Sequence, residues 1–284
     1  MTANDPEIGT TVVVDGVATN VHDRGEGQPV VLVHGSGPGV SAWANWRLAL
    51  PVLADRGFRV VAPDLLGFGY TEPRPGATYD LETWRTHLLG LLDALGLEQV
   101  SLVGNSFGGA VALDLAARHP DRVSRLVLMG SVGVPFPITP ALDAVWGFDP
   151  AHDDMADLLR LFAHDQDRVT ADLAALRLRA AARPGVHESY SSMFPAPRQA
   201  AVDALCVPEE LIAGITAPTL LVHGRDDRVI PPATSLRLHE LIDDSHLHLL
   251  GRCGHWAQVE HASTFHRLLT DFLSPTTRTQ AHRS

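Results

Sequence analysis

The segment "GNSFG" at residues 104 to 108 sets a serine between glycines in the pattern G-x-S-x-G. A serine hydroxyl is a weak nucleophile at neutral pH until a base takes its proton. The setting makes the pattern informative. Apolar Val100 to Val103 precedes it, and a helical pattern, Gly108 to Arg118, follows. A strand-to-helix turn that tight admits only small neighbours and pushes the serine outward. Ser106 is therefore the candidate nucleophile. Two later segments carry the groups that such a serine needs: "HGRDDRVIP" follows Thr219 to His223, and "CGHW" follows His246 to Leu250. His255 is the candidate base. The acid is Asp226 or Asp227. A D-x-x-x-P spacing to Pro231 fits the turn after this strand in serine hydrolases ordered serine, acid, histidine, and it favours Asp227. Asp226 is then a structural neighbour that pairs with Arg225 or Arg228.

The other histidines and the cysteines read more plainly. His223 stands inside a strand, as a core or lining residue. His246 and His248 alternate on one strand face, which sheet burial explains. His255, His261 and His266 are spaced by six and five residues, which does not stack them on one helix face, so no metal site is expected. Cys206 and Cys253 form no C-x-x-C pair and no disulfide framework, and Cys253 reads as a small packing residue.

The elements that must position these groups alternate. Thr10 to Val14 and Val17 to Asp23 flank "DG", a hairpin signal. Pro29 to Val33, Phe58 to Ala62, Val100 to Val103 and Arg125 to Met129 are apolar runs, as strands buried on both faces require. Ala42 to Leu53, Leu81 to Leu95 and Gly108 to Arg118 are helical between them. Strands alternating with helices imply parallel βαβ units. From about Gly133 to Val207 no buried strand appears. Prolines crowd "GVPFPITP", and helical patterns follow at Met155 to Ala163 and Ala171 to Ala182. The strand pattern then resumes, and a last helix covers about Ser263 to Leu273. The expected organisation is a core over 1–132, a helical cap over 133–207, the rest of the core over 208–273, and a mobile polar tail over 274–284. Such a cap covers a site and excludes water from it.

The glycine-rich "HGSGPG" at 34 to 39 could cradle a phosphate, and Asp55 lies near the distance expected of a ribose contact. Its third glycine falls one residue short of G-x-G-x-x-G, however, and Pro38 stands inside it. Ser106, Asp227 and His255 decide against a dinucleotide. With 284 residues, 45% of them hydrophobic, the chain can bury a large core. A net charge of −11 without a Lys/Arg run argues against a nucleic-acid surface. The acidic start lacks the pattern of a signal peptide, and no apolar stretch approaches the roughly 20 residues of a membrane span. A reducing cytoplasm is the simplest compartment.

Seven segments together resemble the meta-cleavage product hydrolases, the C–C bond hydrolases of aromatic degradation. They are "HGSGPGVSAWANW", "PDLLGFGYT", "LVGNSFGGA", "LVLMGSVGVPFPITPALDAVWG", "MFPAPRQ", "HGRDDRVIP" and "GRCGHWAQVEHA". The likeness spans about Val12 to Leu273 and includes the cap. Within the family it looks closest to the 2-hydroxymuconate-semialdehyde hydrolases; the biphenyl-pathway branch typically has glycine where this chain has Ser36. The resemblance implies an α/β-hydrolase fold: a mostly parallel eight-stranded sheet flanked by helices, with a helical cap insertion. It implies hydrolysis of the C5–C6 bond of 2-hydroxy-6-oxohexa-2,4-dienoates, without a cofactor. The partner is that small dienoate, and family members are commonly dimers or larger. It further implies that Asn45 and Asn105 line the polar end of the pocket and that Arg177 meets the substrate carboxylate and C2 oxygen. Phe162 and Trp256 would be aromatic walls. The residues alone do not separate Arg177 from Arg179. Val145, Trp146, Phe148, Phe162 and Trp256 are candidates to shape the C6 end. The backbone N–H groups of Ser36 and Phe107 are placed to hold an oxyanion. A carboxylesterase would use the same triad, and a non-enzymatic receptor on this fold would tolerate loss of one of its members. All three are present.

Overall fold

The computed structural model describes residues 5–74 and 76–274. The residues expected to form the chain start and the polar tail lie largely outside that range. Eight strands form one sheet: β1 (Thr10–Val14), β2 (Val17–Arg24), β3 (Gln28–Val33), β4 (Phe58–Pro63), β5 (Val100–Asn105), β6 (Val123–Met129), β7 (Thr219–Gly224) and β8 (Ser245–Leu250). Their order across the sheet is β1-β2-β4-β3-β5-β6-β7-β8. β1 and β2 pair antiparallel, as do β2 and β4, and every pairing from β4 to β8 is parallel. The β1–β2 hairpin turns at Asp15 and Gly16, both at positive φ (47° and 82°), as a type I′ turn requires.

The central strands bury both faces because their apolar runs are continuous. In β3, Val31 and Val33 join one core while Val30 and Leu32 join the other. Successive side chains leave a strand on opposite faces, so an unbroken Val/Leu run feeds two helical layers at once. Each fully buried Val or Leu contributes about 1.5–3 kcal/mol relative to exposure.

Thirteen α-helices accompany the sheet among the described residues. Those of the first part are α1 (Ala42–Trp46), α2 (Ala49–Ala54), α3 (Leu81–Ala94) and α4 (Phe107–Arg118). Between β6 and β7 come α5 (Pro140–Trp146), α6 (Met155–Phe162), α7 (Ala171–Ala181), α8 (Val186–Met193), α9 (Gln199–Ala204) and α10 (Glu209–Ala213), with no strand among the described residues. α11 (Ala233–Leu241), α12 (Ala257–Glu260) and α13 (Ala262–Leu273) complete the chain. Ser/Thr/Asp caps start many of them. Thr170 accepts from Leu173 N to open α7, and Ser41 accepts from Ala44 N to open α1; such a cap is worth about 1 kcal/mol. α6 buries Met155, Leu158, Leu159 and Phe162 at the spacing of one helical face.

Two expectations need correction. The helix expected over Ala42 to Leu53 is two helices, broken at Arg47 and Leu48. Pro51 explains the break, since a proline ring clashes with the carbonyl four residues back. His246 and His248 do share a face of β8, but both are exposed. β8 is the last strand of the sheet, so that face lacks the cover an inner strand receives. No described helix is long and apolar enough to cross a membrane.

Candidate active site

The strand order reverses between β4-β3 and β3-β5, so the loops after β3 and β5 diverge from neighbouring strand ends. A crevice opens at such a point. The loop after β5 carries Ser106, the expected nucleophile. Ser106 sits at φ 54°, ψ −118°, a strained conformation for a non-glycine residue. Its neighbours permit it. A Cβ on Gly108 would lie 2.3 Å from His34 O, and one on Gly104 would lie 2.5 Å from Gly108 O. The loop after β3 presses on the same turn, where a Cβ on Gly35 would come within 3.0 Å of Asn105 Oδ1. His34 braces that loop. Its Nε2 accepts from Leu65 N at 2.9 Å and its Nδ1 bonds Gly35 O at 2.8 Å. Burial pushes the imidazole pKa down to about 4, so it stays neutral and keeps both bonds.

His255 follows β8, and its Nδ1 meets Asp227 Oδ2 at 2.6 Å. That leaves Nε2 for the cavity, which both Ser106 and His255 line. Asp227 Oδ1 accepts from Val229 N (2.8 Å) and Ile230 N (3.0 Å). His223 Nε2 lies 3.2 Å from Oδ2. Because the same nitrogen also bonds Ile230 O at 3.0 Å, it carries a proton. Burial alone would raise the Asp227 pKa. The adjoining His255, together with bonds from His223 and His255, outweighs burial and holds the carboxyl well below the usual range. Asp226 points elsewhere, to Arg225 Nη2 at 3.5 Å and Cys253 N at 3.3 Å. Cys253 is buried in the core.

The cavity holds about 300 Å³. Asn45, Asn105, Phe162, Trp256 and Arg177 all line it, with Ser36. Asn45 Oδ1 takes Gly35 N at 3.1 Å, while its buried Nδ2 has no partner among the described residues. Gln258 Oε1, on the same cavity, is likewise buried and unpartnered. Phe162 and Trp256 stack at 5.2 Å and 14°. Neither Ser36 N nor Phe107 N has a protein acceptor among the described residues. Val145, Trp146 and Phe148 do not line the cavity; they are buried in the core, and Leu159, Leu173 and Val259 line it instead. Trp146 faces the loop after β3, donating from Nε1 to Ser36 Oγ at 2.9 Å, and its ring stacks on Phe194.

Sequence reasoning missed four groups, Arg168 of the lining among them. Arg47 lines the cavity beside Arg177, and burial and that neighbouring cation both lower its pKa. Gln258 lies three residues after the histidine. Glu7 pairs with Arg177 from outside the lining. The cavity lining carries Arg47, Arg168 and Arg177 and no Asp or Glu. Among the described residues no three His, Cys, Asp or Glu side chains are grouped to hold a metal ion.

A serine on a strained strand-to-helix turn, a histidine–carboxylate pair on the same cavity, and two free N–H groups beside the serine are the arrangement of an α/β-hydrolase. Residues 28–262 match the family described as alpha/beta hydrolase fold. Relatives narrow the class. The 2-hydroxymuconate semialdehyde hydrolase of Pseudomonas sp. (strain CF600) is 55% identical over 271 residues, 95% of each chain. The 2-hydroxy-6-oxo-2,4-heptadienoate hydrolase of Pseudomonas putida is 56% identical over 96% of this chain and 99% of its own. A solved meta-cleavage product hydrolase from Pseudomonas fluorescens IP01, complexed with acetates, superposes with a TM-score of 0.93 at 50% identity, covering 94% of this chain and 98% of that one. The chain belongs to the meta-cleavage product hydrolases.

Proposed function

We propose that the chain hydrolyses the C5–C6 bond of 2-hydroxy-6-oxohexa-2,4-dienoates with hydrogen or a small alkyl group on C6. The observation that carries this reading is a triad opening into a cavity lined by arginines and no carboxylate. A neutral ester needs no such charge, whereas a dienoate with an ionised carboxylate does. The volume is at the small end for ligand pockets, which favours small C6 groups. The relatives named for the semialdehyde and the heptadienoate support the same choice.

Direct cleavage would release a carbanion on C5. The reaction avoids this by first moving the C2 hydroxyl proton onto C5, giving a 2,6-dioxo form. Arg177 and Arg47 hold the carboxylate and the C2 oxygen while that proton moves, and the planar guanidinium of Arg177 suits both. Ser106 then attacks C6 as its proton passes to His255, and Asp227 holds the imidazole in register. The C6 oxygen becomes negative against the N–H groups of Ser36 and Phe107. When C5–C6 breaks, its electron pair shifts along the chain to O2, and the His255 proton completes 2-hydroxypenta-2,4-dienoate. Water, deprotonated by His255, releases the acyl group from Ser106 as a carboxylic acid.

The test is loss of the dienoate's visible absorbance across hydrogen, methyl, isopropyl and phenyl C6 groups, beside p-nitrophenyl acetate turnover. Hydrogen and methyl substrates should show the highest kcat/KM. Faster turnover of the ester than of any dienoate would overturn the reading. The reading also includes the cytoplasm and a homodimer or larger assembly, the second measured by light scattering.

A further inference from the structure

Arg177 is held from behind. Its Nη2 pairs with Glu7 Oε1, and its Nη1 donates to Gly39 O at 3.1 Å. The two side chains are only 11% and 8% exposed, so this is an interior ion pair. Glu7 belongs to the segment before β1 and is anchored without the arginine. Its Oε2 accepts from Ser41 Oγ at 2.6 Å, and its carbonyl accepts from Asn20 Nδ2 at 2.9 Å. The same Asn20 nitrogen donates to Asp64 Oδ2 at 2.8 Å, and Asp64 Oδ1 takes Ala42 N. Four hydrogen bonds and the Ser41–Ala42 peptide link therefore close a circuit from Glu7 through Ser41, Ala42, Asp64 and Asn20 back to Glu7. It includes the N-cap of α1, the helix that carries Asn45.

Two contacts on different nitrogens fix the plane of the Arg177 guanidinium, which has five N–H groups in all, and the residue lines the cavity. Without Glu7 the long side chain would keep one anchor, the Gly39 carbonyl. It would also be a poorly compensated buried cation next to Arg47.

We propose that Glu7 is a positioning residue of the dienoate site: it orients the Arg177 guanidinium toward the substrate carboxylate and C2 oxygen, and balances the charge of that cation beside Arg47. This goes beyond the function proposed above and rests on its reading of Arg177. Glu7 itself does not line the cavity.

Glu7→Gln keeps the shape and removes the charge. A displaced guanidinium slows the steps that depend on its orientation, so kcat for the dienoate should fall about tenfold, within the roughly 10²-fold that a 1 Å misplacement can produce. Turnover of p-nitrophenyl acetate, which has no carboxylate to place, should stay within twofold. Glu7→Asp keeps the charge one carbon shorter and should show the same split at smaller amplitude, which also covers poor folding of the first variant. Parallel losses on both substrates would mark Glu7 as merely structural and overturn the inference. So would unchanged dienoate turnover in Glu7→Gln while Arg177→Gln is impaired. An unimpaired Arg177→Gln would instead overturn the role given to Arg177.

Discussion

Replacing Asp227 by Asn separates the two adjacent aspartates by chemistry. Two backbone donors, Val229 N and Ile230 N, face Asp227 Oδ1. Backbone N–H groups can only donate, so the new amide must keep its oxygen there. Its NH₂ then faces His255 Nδ1, where a carboxylate oxygen now sits at 2.6 Å. His255 is forced to accept at Nδ1 and carry its proton on Nε2, the nitrogen that must take the Ser106 proton. The equivalent change in a serine protease lowers kcat about 10⁴-fold, or about 5 kcal/mol of barrier. Stopped-flow absorbance of the dienoate reads the rate, and circular dichroism checks the fold. Asp226→Asn should stay within twofold of the parent, because its carboxylate serves Arg225 and a loop amide. The reasoning is refuted if Asp227→Asn retains a tenth of the parent rate, or if both variants lose equally.

Ser106→Ala should bind the coloured dienoate and cleave it orders of magnitude more slowly; a near-parental rate would remove the nucleophile. Trp146→Phe removes the donor to Ser36 Oγ, and a net hydrogen bond of about 1 kcal/mol, if it acts fully in the transition state, is about fivefold in kcat; unchanged kcat would disconnect that bond from catalysis. Stability should fall on acidification from about pH 6.5, the ordinary histidine value, toward pH 4. Burial holds His34 and His87 at about 4 in the folded chain, so the unfolded chain takes up their protons first. Asp64, raised to about 6 by burial, opposes this over part of the interval, because its folded form gains a proton first. His87→Gln should flatten the fall, as read from Tm against pH.

Chemistry carried by local backbone geometry was the most readable from sequence. The Ser106 turn needs glycines at fixed offsets, and the Asp227 turn puts a carboxylate oxygen against N–H groups two and three residues on. The β3 and β5 runs announced a sheet buried on both faces. What escaped depends on side-chain direction across long sequence separations. Glu7 and Arg177 are 170 residues apart, and neither has a neighbourhood that names the other. Arg177 and Arg179 lie on different sides of α7, but an alanine-rich helix has too faint an apolar stripe to say which side faces inward. Trp146 was expected at the substrate's end because it is large and apolar; its indole N–H, with Ser36 Oγ available, sends it elsewhere. His246 and His248 show that alternation gives a shared face without saying whether anything covers it.

Two atoms of the helical insertion reach past the cavity to residues of the site. Trp146 Nε1 holds the hydroxyl of Ser36, and the carbonyl of Phe162 takes His255 N at 2.7 Å. The insertion thus enters the site twice: Leu159, Phe162 and Leu173 line the cavity, and an indole N–H and a carbonyl hold Ser36 and His255 behind it. An insertion exchanged between relatives to alter substrate range would have to bring an indole and a carbonyl to the same two points to keep both contacts.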